Sequence, residues 1–381
     1  MKTEKLYHVD SYMKSFTATV ISCERDSDGY AVVLDKTAFF PEEGGQYADK
    51  GTLSGIEVFD VTEKDGVIYH KITSSVEVGA TVCGVIDFDE RFEKMQCHTA
   101  EHILSGIIHR EFGLNNVGFH LGKEDVTMDI SAPLTKEQLN TVETMANEAI
   151  WANVKVNVLY PAPAELEAMQ YRSKIDFLDG VRVVVIDGYD SCACCAPHVS
   201  HTGEIGIVKI LDAEGLRGGM RIHITAGRRA FAIYSKMQDT LSRISRTVSL
   251  PRLEVCEGVE RLAKENERLS LEYKRARLQN FEREGDLVAP TEKNLVLFFA
   301  DASYDELRAV ANRAVKKIGG MLVLLAGEEG NYKFVCASCT QDVKAQMPKI
   351  NTALKGKGGG NSSMSQGSFS ASKKEIEKFF N

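Results

Sequence analysis

The period of the apolar positions changes along the chain, and each change marks an element. Over residues 1–90 apolar residues alternate, or run in short bursts between Gly and Asp punctuation, as in FTATVISCERD, YAVVLDKTAFF and GVIYHKI. That pattern predicts strands. Between them lies TAFFPEEGGQYADKGTL, where Pro41 and the Gly44-Gly45 pair argue against a continuous strand. It reads as a loop whose bare backbone approaches something closely, with Asp49 and Gly51 turning into the next strand. From residue 91 to about 113, Phe92, Met95, Ile103, Ile107 and Ile108 fall near helical spacing. A strand follows around VTMDI, then a helix from Lys136 to Trp151. Thr135 caps that helix, and Gln138 completes a capping box. RVVVIDG reads as a buried strand and SCACCAPHVSHTGEIGIVKI as a loop leading into another.

From about residue 230 the period is helical again. Tyr234, Met237, Leu241, Ile244 and Val248 keep a 3-4 spacing, Pro251 interrupts it, and Val255, Val259, Leu262, Asn266, Leu269 and Tyr273 resume it. Two such stretches around a proline predict an antiparallel helical hairpin, with a dimerising coiled coil as the alternative. After Gly285 the pattern becomes α/β: NLVLFFA, the helix DELRAVANRAVKKIGG, MLVLLAG and YKFVCAS. The expected fold class is therefore α+β and multidomain. Residues 1–90 are expected to be β-rich, 91–229 an α/β domain, 230–285 a helical hairpin and 286–381 a C-terminal α/β domain.

Composition narrows this little. The chain has 381 residues, 43% hydrophobic and 26% charged, ordinary for a soluble globular protein. No apolar run approaches the roughly 20 residues needed to span a bilayer. The N-terminus MKTEKLYHVDSYMK lacks an apolar signal region, so the expected location is the cytoplasm, with no membrane partner. A formal charge of −8 argues against wholesale nucleic-acid binding, but a local basic face is compatible with it. Nine cysteines occur, three of them within SCACCAPH, and clustered Cys near His in such a chain points to metal or catalysis before disulfides.

The candidate chemistry lies in two pairs. His98 and His102 stand four apart on a predicted helix, so both face one way. Cys194 and His198 repeat the spacing in a loop after a buried strand. Three nitrogens and one thiolate suit a single tetrahedral Zn²⁺. Cys192 or Cys195 in place of Cys194 lacks the spacing to His198, and His201 is a further candidate. Cys97 points about 100° away from His98 on a helix. Glu101 lies inside the first pair as H-T-A-E-H, one position off the metalloprotease base, and reads as an exposed helix acid. His8, His70, His109 and His223 read as structural histidines.

H-x-x-x-H, followed about ninety residues later by C-x-x-x-H and TGEIGIVKI, resembles the editing domain of alanyl-tRNA synthetases. TAFFPEEGGQYADKGTL resembles the barrel that precedes that domain, and GFHLGKEDVTMDI the strand lining its pocket. KGKGGGNSSMSQGS resembles the glycine-rich signature of the family's C-terminal domain, shared with DHH-type phosphoesterases. The resemblance covers nearly the whole chain, which resembles the long form of the free-standing alanyl-tRNA editing proteins. Three stretches depart from the family. The loop reads Cys194-Cys195-Ala196-Pro197-His198 where C-G-G-T-H is common. The barrel loop has E-E-G-G-Q where a third glycine is common. Asn361-Ser362-Ser363 stands where a basic and an acidic residue are common.

The resemblance implies hydrolysis of the ester joining serine, and secondarily glycine, to tRNA(Ala), with alanine spared. A synthetase pocket shaped for alanine cannot strongly reject a smaller residue or one with an added hydroxyl, whereas a second site that hydrogen-bonds the hydroxyl can discriminate. It implies one Zn²⁺ per chain on His98, His102, Cys194 and His198. Because four protein ligands close the shell, the ion is expected to shape the pocket. It implies a pocket role for His120 in orienting water or binding the terminal ribose, and a wall of Gly44, Gly45 and Gln46 sensing the serine side chain. The C-terminal region is expected to grip tRNA through Lys355, Lys357, Gly358, Gly359 and Gly360. From Gln341 to Asn381 seven lysines against three acids give 7 − 3 = +4. A homodimer through the hairpin or the C-terminal domain is a further expectation. The alternatives are editing of Ser-tRNA(Thr), a non-catalytic zinc-stabilised RNA-binding protein, and a DHH-type nuclease. The last is disfavoured because the chain has no D-H-H motif.

Overall fold

The computed structural model describes residues 2–123, 125–173 and 181–381. Strands β1 (Ser15–Asp26), β2 (Gly29–Leu34), β3 (Gly51–Leu53), β4 (Ile56–Lys64), β5 (Val67–Ile72) and β6 (Thr81–Ile86) close into a barrel in the order β1-β2-β5-β4-β3-β6. Alternation builds it: Phe16, Ala18 and Val20 of β1 point inward, where they join Val32, Leu34, Val58, Ile68 and Ile72. The loop between β2 and β3 sends Phe39 and Phe40 into the same core. It then bends outward at Gly44 and Gly45, with φ of +63° and +82°. A Cβ on Gly45 would lie 2.1 Å from the Phe119 carbonyl oxygen. Only glycine lets this loop reach the next layer, where Leu121 N–H donates to Gly45 O at 2.7 Å.

The long helix α1 (Phe88–Phe112) starts at Asp87, whose side chain accepts from Glu90 N–H, and ends at Gly113 in the left-handed region. It is buried on nearly every side, Arg91 and Lys94 included. Those charges are tolerated because the barrel supplies a buried partner, Asp49. Arg91 Nε donates to Asp49 Oδ2 at 2.8 Å, and Lys94 Nζ lies 3.3 Å from Oδ1 and 2.7 Å from Ala48 O. Burial alone would raise the Asp49 pKa, but the two cations reverse this and hold it below the usual carboxylate range. The network anchors α1 to the barrel and so fixes where the helix presents its histidines.

Around α1 lie a sheet and a ribbon. Strands β7 (Asn116–Leu121) and β8 (Val126–Ile130) are followed by α2 (Lys136–Trp151), with Thr135 and Gln138 forming the expected capping box. Then come β9 (Val156–Leu159), β10 (Val183–Ile186), β11 (Asp190–Ala193), β12 (Val208–Leu216) and β13 (Gly219–Ala226). The sheet runs β12-β13-β8-β7 and the ribbon β9-β10-β11. Ile103, Leu104 and Ile107 of α1 share one core with Met128, Val142 and Ile222.

Compactness divides the chain once, into Met1–Leu241 and Ser242–Asn381, inside helix α3 (Gly227–Val248). The barrel and the α/β layers, read from the sequence as separate domains, fall in one unit joined by the buried charge network.

In the second unit α4 (Val255–Leu287) packs on α5 (Tyr304–Ala314). Arg277 Nε donates to Glu306 Oε1 at 2.6 Å. The unit also contains β14 (Leu295–Phe299), β15 (Leu322–Glu328), β16 (Asn331–Ala337), α6 (Val343–Ala353), β17 (Lys357–Gly360), β18 (Met364–Phe369) and α7 (Lys373–Phe380), with sheet order β14-β15-β16-β18-β17. The glycine-rich stretch is mostly the edge strand β17. Two of the three glycines in β17 have a packing reason: a Cβ on Gly358 would meet the Phe334 ring at 2.5 Å, and one on Gly360 the Met364 carbonyl oxygen at 2.2 Å, while one on Gly359 would meet nothing within 4 Å. Among the described residues no helix is long and apolar enough to cross a membrane.

Candidate metal centre

The two sequence pairs meet. His98 and His102 project from consecutive turns of α1 toward the loop after β11, which delivers Cys194 and His198. The His198 ring lies 4.8 Å from the His98 ring and 4.7 Å from the His102 ring, centroid to centroid. Cys194 Sγ is 3.6 Å from His98 Nε2 and 3.3 Å from His198 Nε2. Donor atoms of all four residues lie within 4.8 Å of one another. The weighed substitutes fall outside this group: Cys192 gathers instead with His102 and Asp190, and the His201 ring sits 3.0 Å from Ser200 Oγ.

Each imidazole is aimed through its other nitrogen. Asp190 Oδ2 lies 2.9 Å from His102 Nδ1 and, as a carboxylate oxygen, accepts. Thr99 Oγ1 gives its hydrogen to Met95 O at 2.8 Å, so at 3.0 Å it accepts from His198 Nδ1. Gln46 Oε1 accepts from His98 Nδ1 at 2.9 Å. With every Nδ1–H committed, three Nε2 lone pairs turn toward the sulfur, the arrangement metal-binding histidines show. Asp190 is itself held by Arg172, whose Nε and Nη2 donate at 2.8 and 2.9 Å.

The electrostatics favour metal binding. Burial alone would raise the Cys194 thiol, but the His98 and His198 imidazoles outweigh it and hold it well below its ordinary value, as a thiolate. Burial pushes His198 down to about 3, leaving its lone pair free. Burial also disfavours the charged form of His102, yet the Asp190 hydrogen bond overrides it and makes this imidazole markedly more basic. A basic imidazole is a strong ligand once metal displaces its proton. Three convergent Nε2 atoms and one thiolate are a donor set that could hold a metal ion.

The cluster forms part of the wall of a cavity of 450 Å³, lined from the barrel side by Lys5, His8, Glu43 and Gly44 and from the other by Glu101, Asn116, Phe119, Arg172 and Arg182. Glu101, expected as an exposed helix acid, is buried at 4% exposure, because the helix is covered on nearly every side, including the face Glu101 shares with His98. His8, read as structural, lines the cavity, its Nε2 3.1 Å from Cys195 O. His120 is exposed and does not line the cavity: strand alternation turns Phe119 inward and His120 outward. Of the glycine wall, Gly44 lines the cavity, Gly45 closes on β7 and Gln46 holds His98. Sequence reasoning missed Thr99, Asp190, Arg172 and Arg182. A lone Asp190 beside an apolar strand was the one local signal.

The family described as "Threonyl and Alanyl tRNA synthetase second additional domain" matches residues 181–223, which include Cys194 and His198. "tRNA synthetases class II (A)" matches residues 5–90, which include the barrel. Alanine–tRNA ligases are similar over far more of the chain. The Halorubrum lacusprofundi enzyme is 32% identical over 88% of this chain and 38% of its own length. The Halobacterium salinarum enzyme is 33% identical over the same shares. The Methanococcus vannielii enzyme is 28% identical over 100% of this chain and 43% of its own length. The chain thus spans about two fifths of the relatives it matches. The C-Ala domain of Aquifex aeolicus alanyl-tRNA synthetase aligns with 23% of the chain at 19% identity and a TM-score of 0.21, too slight to carry an argument. The chain is similar to alanine–tRNA ligases over part of their length, and its residues 181–223 match the second additional domain of threonyl and alanyl tRNA synthetases.

Proposed function

We propose that this protein hydrolyses the aminoacyl ester of mischarged tRNA(Ala), removing serine, and glycine secondarily, while sparing Ala-tRNA(Ala). The observation that carries this reading is the four-donor cluster on the wall of a cavity, in a chain related to alanine–tRNA ligases. A cavity of 450 Å³ lies in the range of small-molecule sites and suits an aminoacyl group with its terminal ribose.

The ion is Zn²⁺, one per chain. Zn–S near 2.3 Å and Zn–N near 2.0–2.1 Å at tetrahedral angles put sulfur and nitrogen about 3.6 Å apart. The separations of 3.6 and 3.3 Å fit that requirement. When bound, the ion supplies a fixed positive charge at the cavity wall. The chain does the rest. His98, His102 and His198 are locked in orientation by Gln46, Asp190 and Thr99, so the wall is rigid before substrate arrives. The exposed backbone at Gly44 meets the amino-acid side chain. A hydrogen bond made to serine and unmade with alanine costs the alanine ester about 1–3 kcal/mol, roughly ten- to a hundredfold. Outside the cavity, Lys355 and Lys357 contribute charge to tRNA binding as phosphate contacts without base readout.

The test is deacylation of Ser-tRNA(Ala) beside Ala-tRNA(Ala). Fast loss of serine with alanine retained supports the reading. Turnover of neither, with tRNA still bound, would make this a zinc-stapled binding protein.

A further inference from the structure

Glu101 is a carboxylate on the cavity wall with one oxygen that no residue of the site engages. It sits three residues after His98 on the same face of α1, at 4% exposure. Its Oε1 accepts from Ser105 Oγ and from Asn116 Nδ2, which fixes the carboxylate on two sides. Asn116 is held in turn, its Oδ1 accepting from Gly118 N–H at 3.0 Å. Oε2 accepts no hydrogen bond among the described residues, and Glu101 lines the cavity. Nor is it one of the four groups placed to hold the metal.

The hydrogen bonds made by the cations that share the cavity run to other groups, with Arg182 Nε left without a partner among the described residues. Lys5 donates to Glu63 at 2.8 Å, Arg172 takes both oxygens of Asp190, and Arg182 Nη1 donates to the Cys194 and Ala196 carbonyls at 2.7 and 2.9 Å. Glu43, the other carboxylate on the wall, is exposed. A carboxylate oxygen that faces a cavity and has no protein donor is placed to accept from a ligand. The substrate class proposed above carries such a donor one bond from its ester carbonyl: the α-amino group, an N–H donor in either protonation state.

We infer that Glu101 binds the substrate's free α-amino group. This rests on the aminoacyl-ester reading of the site. It makes the enzyme selective for aminoacyl esters over N-acylated ones, so peptidyl- and formylaminoacyl-tRNA are excluded by the same contact that orients the ester. Glu101 anchors the substrate and takes no proton from water.

The experiment compares Ser-tRNA(Ala) with N-acetyl-Ser-tRNA(Ala), using the intact protein and Glu101→Gln, with zinc content measured for both. The inference predicts that the intact protein prefers the free amine at least tenfold. It also predicts that Glu101→Gln loses about ten- to a hundredfold on the free amine and less than about twofold on the acetylated ester, the range for a charge-assisted hydrogen bond. Equal hydrolysis of both esters by the intact protein would overturn the inference and leave the hydrolase reading standing. Equal slowing of both by Glu101→Gln would also overturn it, pointing to a base for water. Hydrolysis of neither ester would overturn the parent reading. If Glu101→Gln loses its zinc, the comparison of the two esters on the intact protein decides alone.

Discussion

Two stretches offered candidate chemistry in the sequence, and they differ once folded. The His/Cys set is buried, its four donors converge, and each imidazole is oriented by a further residue. The glycine-rich stretch is exposed, lies mostly on the edge strand β17, and has two glycines, Gly358 and Gly360, explained by close strand and ring contacts. A spacing motif specifies direction: residues four apart on a helix must face together. A compositional motif specifies only permission, because glycine allows close approach whatever approaches. In β17 the approaching group is the protein's own sheet.

The sharpest break of this contrast is Cys194→Ala. It removes the thiolate, so the account expects metal affinity to fall more than a hundredfold, with deacylation falling alongside. The size is bounded from below by the tenfold to hundredfold typical of changes one shell further out. Asp190→Asn is that change. It keeps a hydrogen-bond acceptor but removes the charge from His102 and Arg172, and metal titration should show an affinity about ten- to a hundredfold weaker. On the other side, Gly360→Ala forces a methyl against the Met364 carbonyl oxygen. Denaturant unfolding of the second unit should show a loss of about 1–3 kcal/mol, with metal binding unchanged. The smallest effect belongs to Lys355→Ala and Lys357→Ala. Each should weaken tRNA binding a few-fold and lower the slope of log affinity against log salt by about 1. Unchanged slopes in both would leave β17 as sheet packing alone.

The legible part of the molecule was whatever a local period encodes. The strands of the barrel, the helix from Lys136 to Trp151 with its capping box, and the four donor positions all follow from spacings within a few residues. The illegible part came from burial between distant segments. Helix α1 is covered on nearly every side, so its polar positions carry no sign of which are inside, and Glu101 read as exposed. Arg91 and Lys94 look like surface charges until Asp49, more than forty residues earlier, is placed between them. Gln46 read as part of a side-chain-sensing wall, and its hydrogen bond to His98 depends on a loop that reaches another layer. His120 read as a pocket residue from the resemblance alone, and its neighbour Phe119 is the one that lines the cavity. Strand alternation decides which of two adjacent residues faces inward, and the sequence left that phase open.

The most direct measurement is metal analysis of the intact protein together with the visible spectrum of its cobalt-substituted form. The account predicts one zinc per chain, and a cobalt spectrum with tetrahedral ligand-field bands and a thiolate charge-transfer band, both lost in Cys194→Ala. A protein that binds no metal, or whose cobalt spectrum is octahedral and unchanged in Cys194→Ala, would contradict it.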